Sequence, residues 1–212
     1  MVKNHEKLEH CECYSKILPE IYKKVPEDNI TLKEFLKLMG EPGKLIISMI
    51  LSAPFLIPIS IPGTGIIIGL IIFTLGISLI FNRNLIPNRL MKTKISNKNL
   101  IKALNITSRI LKYLEKFVKP RLLVMTRGAV TTNINKLFFL ISSLLFITPL
   151  PIPLTDTLPA AGTFLLAAGI LERDGYLILL GYITVIITAI YFTSVILLGW
   201  ALISTGSYHF FK

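Results

Sequence analysis

One carboxylate stands apart from every other charge in this 212-residue chain. Asp156 is the only Asp, Glu, Lys or Arg between Leu137 and Leu171, and Thr155 and Thr157 flank it. An ionisable group inside an apolar stretch is a functional candidate as proton carrier, cation ligand or hydrogen-bond acceptor. Alternatively, Asp156 or Thr157 only caps the helix that follows, with Pro159 in a first-turn position. A second polar group, Ser60, Gly63, Thr64 and Gly65, interrupts the apolar stretch Leu45 to Ile80. Thr64 is placed to cap a helix starting at Ile66. Helix starts offer free N–H groups and partial positive charge, so two facing one cavity would attract an anion such as a phosphate headgroup. The candidate binding residues are therefore Ser60, Gly63, Thr64, Gly65, Thr155, Asp156 and Thr157.

Glu172-Arg173-Asp174-Gly175 forms a third group. Alternating charges at a membrane boundary suit a solvated turn ended by glycine; in the competing reading, Arg173 pairs with a carboxylate and closes a cavity. His5, His10, Cys11 and Cys13 resemble a soft-metal cluster by type, but their spacing matches no closed site, so no metal is expected. Cysteines one residue apart would make a strained disulfide. The sequence holds no P-loop, dinucleotide fingerprint, nucleophile elbow or HExxH, and its histidines (5, 10 and 209) lie near the termini. Neither enzyme activity nor a cofactor is expected.

Such groups need elements to hold them, and composition says which. Hydrophobic residues make up 52% of the chain and charged residues only 17%, with mean hydropathy +0.66. A soluble domain carries about 25% charged residues. The net charge of +11 alone would permit a nucleic-acid binder, but no charge falls from Leu45 to Asn82 or from Gly175 to Phe211. These features predict an integral membrane protein with no nucleic-acid partner.

The predicted fold is all-α. Residues 1–30 form a polar tail without the apolar run of a signal peptide. Residues 31–40 hold a short amphipathic helix opened by the capping box Thr31-Leu-Lys-Glu34. Residues 41–82 cannot be one helix, because Pro54, Pro58, Pro62 and Gly63-Thr64-Gly65 break it. They predict a re-entrant-like hairpin with arms Leu45 to Ile57 and Ile66 to Phe81. Residues 137–175 repeat that plan: shifted by 93 positions, Pro58, Thr64, Gly69 and Gly76 fall on Pro151, Thr157, Gly162 and Gly169. The second arms are Leu137 to Thr148 and Ala160 to Leu171, and close packing accounts for the glycines. Residues 83–136 read as a basic linker. Its amphipathic helix, Leu100 to Val118, either packs on other cytoplasmic parts or lies on anionic lipid. Residues 176–212 hold one long transmembrane helix. The segments up to Lys44 and from Asn82 to Lys136 carry 21 of the 23 Lys and Arg residues, which puts both, and the N-terminus, in the cytoplasm.

Pro54-Phe-Leu-Ile-Pro-Ile-Ser-Ile-Pro-Gly63, Leu-Ile-Pro87, Thr157-Leu-Pro-Ala160 and Gly169-Ile-Leu-Glu-Arg-Asp-Gly175 together resemble the ExoD family of bacterial exopolysaccharide-synthesis membrane proteins. The resemblance runs from about Thr31 to Leu202. It implies a multi-pass protein of the bacterial inner membrane with a link to surface polysaccharide. The family often has Asn where this chain has Asp156, so no obligatory protonation is implied there. The leading expectation is a small secondary transporter or lipid-phosphate translocator, its site at the two hairpin tips and its cargo an anion such as a polyprenyl phosphate. The alternative is a non-catalytic scaffold for polysaccharide machinery, working through the basic linker. Membrane lipids are the expected partners, and a homo-oligomer is compatible with either function.

Overall fold

Proline and glycine frame the first helix. The computed structural model describes residues 30–31, 34, 36, 39–56, 64–81, 94–95, 125–126, 128–148 and 154–210. Helix α1 runs Glu41–Ser52 behind Gly40, whose φ of 64° suits glycine, and it has Pro42 in its first turn, where a missing N–H costs nothing. Pro54 cannot continue the ladder, and the chain tightens into a 3-10 turn, Ala53–Leu56. Then come α2 (Thr64–Ile80), α3 (Ala129–Ile147), α4 (Thr157–Glu172) and α5 (Gly175–Phe210). A two-residue antiparallel bridge, β1 (Ile30–Thr31) with β2 (Lys94–Ile95), sets Ile30 opposite Ile95. It brings the segment before α1 beside the segment after α2. Ser60, Gly63, most of the N-terminal tail and the linker helix predicted over Leu100 to Val118 lie outside the described residues.

By length and composition, α3 and residues Gly175–Ala201 of α5 could each cross a membrane. The 17 residues of α2 and the 16 of α4 make rods of only about 25 Å, against a hydrocarbon core of about 30 Å. The 36 residues of α5 reach about 54 Å and project well beyond such a core.

Small residues place α4 at the centre. Ala160, Ala167 and Ala168 are fully buried, and α4 packs against α1, α3 and α5. Three helices can approach one rod only where its side chains are short. Gly181 of α5 sits directly over Leu166. Helix α2 packs mainly on α3 through Gly69 and Gly76, which face Phe146 and Phe139. The outward faces are apolar: Ile67 and Leu70 on α2, Ile187, Ile190 and Leu197 on α5. Lipid tolerates such faces; water does not.

The predicted arms shift at their ends. Helix α2 begins at Thr64, two residues before Ile66, because first-turn N–H groups need no intrahelical partner and the chain turns helical directly after Pro62-Gly63. The larger difference is α3, which begins at Ala129 instead of Leu137. Eight residues of the expected linker are therefore helical. Two of them, Asn135 and Lys136, are buried with partners. Lys136 Nζ is 3.0 Å from Glu41 Oε1, and the Asn135 amide donates to the Met125 carbonyl while its oxygen accepts from Tyr182. Another buried amine, on Lys44, donates at 3.0 Å to the Ser78 carbonyl, one of the last-turn oxygens of α2 that the helix itself leaves unpaired.

The capping box forms as expected. The Thr31 N–H donates to Glu34 Oε2 at 2.9 Å, and the Glu34 N–H donates to Thr31 Oγ1 at 3.3 Å. The backbone bond from Thr31 holds the Glu34 carboxyl below its ordinary value of 4.5. A carboxylate lowered in this way stabilises the fold above its unfolded pKa, and that stability is lost as pH falls through the folded value. Thr31→Ala is expected to speed amide exchange at Glu34 by roughly fivefold, measured by hydrogen exchange at neutral pH.

Candidate functional site

Three contacts join the segments that flank the two Pro-rich tips. Phe55, in the turn after α1, meets Phe146 near the end of α3 edge-to-face, with ring centroids 5.2 Å apart. Gly69 of α2 presses on the Phe146 backbone, where a Cβ would come within 3.0 Å. At Gly65, in the first turn of α2, a Cβ would lie 2.7 Å from Asp156 Oδ1 and 3.0 Å from its Cγ. The Asp156 carboxylate therefore rests on the start of α2. Only glycine leaves room for it.

Local structure explains why the carboxylate reaches across. Asp156 occupies the N-cap position of α4, but its φ of −89° and ψ of −35° are already helical and its side chain makes no capping hydrogen bond. A cap needs extended backbone geometry to fold its oxygen back over the first turn. The expectation that Asp156 caps its own helix is thus not met. Leu154 takes a left-handed φ of 68°, a conformation costing a non-glycine residue about 1–3 kcal/mol. That turn leads the chain into α4. Thr155 is buried, Asp156 and Thr157 are half-buried, and Thr157 is the first helical residue. Thr64 opens α2 half-buried, and Gly65 is buried behind it. Thr64 is thus a helical residue rather than the cap expected before Ile66.

The start of a helix carries about half a positive charge with unsatisfied N–H donors. The place where an anionic ligand was expected to sit holds the protein's own carboxylate. The arrangement can exchange one anion for another, or release the carboxylate when it is neutralised.

Glu172, Arg173 and Asp174 lie at the opposite end of α4. Arg173, not glycine, takes the left-handed position, with φ 53° and ψ 40°. The Asp174 N–H closes the turn on the Gly169 carbonyl at 2.9 Å, a Schellman-type ending. Asp174 is buried, and its Oδ1 accepts the Tyr176 and Leu177 N–H groups at 2.7 and 3.2 Å. It is the N-cap of α5, and Gly175 is that helix's first residue. The solvated turn ended by glycine is corrected accordingly: the junction is a buried double cap with one exposed arginine. Sequence reasoning missed Glu41, Lys44, Asn135 and Lys136, whose one visible signal is polar residues directly abutting apolar arms.

The profile described as "Exopolysaccharide synthesis, ExoD" matches residues 14–194. The chain is also similar to Protein ExoD of Rhizobium meliloti (strain 1021), 35% identical over 188 residues, covering 87% of this chain and 77% of that protein. No solved structure gives a significant match. The two long apolar helices and the family together support a membrane location. With the profile covering most of the chain and the Rhizobium protein matching at this identity, the chain belongs to the ExoD family, which is linked to exopolysaccharide synthesis.

Proposed function

We propose that this protein moves an anionic lipid phosphate, such as a polyprenyl phosphate, across the bacterial inner membrane during polysaccharide assembly. The seat of the Asp156 carboxylate against Gly65 carries this reading. It is an anion position, made from the start of one short broken helix and reached from the start of another. Transporters recurrently build midplane sites this way. In the resting chain the carboxylate fills the seat, so an arriving phosphate displaces it. Thr64, Thr155 and Thr157 supply hydroxyls around the exchange.

The multi-pass arrangement is part of the proposal. The basic segments carrying 21 of 23 Lys and Arg residues stay cytoplasmic, and the β1–β2 bridge keeps the two of them on one side. Short α2 and α4 then hold their starts within the membrane, where irregular backbone is tolerated only against protein or water. The two helix pairs act as duplicated hairpins, with the matched glycines at helix contacts in both.

The test is translocation of a fluorescent polyprenyl phosphate in vesicles containing the full chain. Gly65→Leu fills the seat and is expected to abolish translocation. Reversing Lys102, Arg109, Lys112 and Lys116 to Glu should leave the rate within about twofold. The opposite pattern would favour a scaffold acting through the linker.

A further inference from the structure

At the far end of α4 from Asp156, a partly open cavity of about 520 Å³ lies between the start of α1, the first half of α3, the α4–α5 junction and Ile178 of α5. Its volume falls within the range of roughly 300–1,000 Å³ typical of small-molecule sites. Its charged lining is two cations to one carboxylate: Lys136, Arg173 and Glu41. Lys136 is buried, with 8% of its side chain exposed, and its amine is 3.0 Å from Glu41 Oε1. The Glu41 side chain is 47% exposed, so water can solvate its carboxylate when another oxyanion takes its place on the amine. Arg173 is exposed and makes no ion pair among the described residues. Leu45, Leu171 and Ile178 provide an apolar wall.

We propose that this cavity binds a phosphate-bearing headgroup, with Arg173 and Lys136 as the anion's ligands and Glu41 as the charge that the phosphate displaces from Lys136. A guanidinium held at a rigid turn presents a planar fork suited to phosphate oxygens. A buried amine already neutralised by a half-exposed carboxylate exchanges one oxyanion for another without becoming an unpaired charge. The apolar wall accepts the carbon part of the ligand, either a sugar face or the root of a lipid chain. This site is separate from the one at Asp156, and it stands or falls independently of any translocation there.

The fold offers a clean variant. Arg173 sits in the left-handed region that glycine prefers, so Arg173→Gly removes the guanidinium while easing the backbone. The full chain in detergent is titrated with glucose 1-phosphate. In nanodiscs it is compared between phosphatidylcholine alone and phosphatidylcholine with one-fifth phosphatidic acid. Binding of the sugar phosphate identifies a soluble source; a response confined to the phosphatidic acid discs identifies a lipid headgroup. In either arm Arg173→Gly is expected to weaken binding by about tenfold, the loss of one charge-assisted contact. Glu41→Gln is expected to strengthen it several-fold, and the linker control Lys102→Gln should leave it within about twofold. No binding of either probe, or an equal loss in Arg173→Gly and Lys102→Gln, would overturn the proposal.

Discussion

Gly65→Ala is expected to abolish translocation of a lipid phosphate while leaving thermal stability almost unchanged. The added Cβ would lie 2.7 Å from Asp156 Oδ1, inside van der Waals contact, so the carboxylate must leave the start of α2. The displaced atoms are the end of a side chain, which can rotate away. Overpacking costs about 1–3 kcal/mol; a side-chain end that can rotate away puts this site at the low end, against the roughly 0.5–1 kcal/mol that alanine recovers over glycine within a helix. The two nearly cancel in stability. They do not cancel in function, because the methyl group now occupies the seat that a phosphate would use. Asp156→Asn should act in the opposite direction. It keeps the shape but removes the competing charge, so affinity for the lipid phosphate should rise several-fold, corresponding to about 0.3–2 kcal/mol at a helix start. Binding assays on the two variants check the pair: one lost, one tightened.

The same substitution at Gly169 should do the reverse, harming the fold first. A Cβ there would lie 2.8 Å from the Ile178 backbone nitrogen, 2.8 Å from its Cγ1 and 3.1 Å from Leu177 Cβ. Backbone cannot rotate aside as a carboxylate can. Relief requires α4 and α5 to separate, and that would disturb the Gly169 carbonyl that closes the turn at Asp174. Helix propensity recovers the same small amount as at Gly65, so from the upper end of overpacking the net cost is about 2 kcal/mol. Gly169→Ala is expected to lower the detergent melting temperature by several degrees, with Gly65→Ala as the matched control. Equal melting temperatures would mean that the α4–α5 contact is looser than described.

What the sequence could show followed from how local the physics is. The Thr31–Glu34 capping box spans four residues and was legible in full. Gly63-Thr64-Gly65 located the start of α2 to within two residues, and the apolar run meeting Glu172 located the end of α4 to within one. The start of α3 was hidden because the partners of its polar end are distant: Lys136 can be buried there because Glu41, 95 positions earlier, meets its charge. Arg173 was hidden for another reason. A tetrapeptide ending in glycine suggests that the glycine takes the left-handed position, yet Asp174 is needed as the N-cap of α5, and the turn must therefore fall one residue before it. At the candidate site the types were readable and the direction was not. Asp156 stood out as a lone carboxylate, but its aim at Gly65 rather than its own helix depends on how α2 packs against α3.

Disulfide formation between Gly65→Cys and Asp156→Cys in a Cys11→Ser/Cys13→Ser background tests the meeting of the two tips most directly. A disulfide needs Cβ atoms about 3.5–4.5 Å apart, and the contact between Gly65 and the Asp156 carboxylate places these positions in that range. The chain is expected to cross-link within one protomer on mild oxidation, to release the cross-link on reduction, and to translocate no lipid phosphate while cross-linked. Failure to cross-link, or full translocation by the cross-linked chain, would contradict a shared site at the two tips.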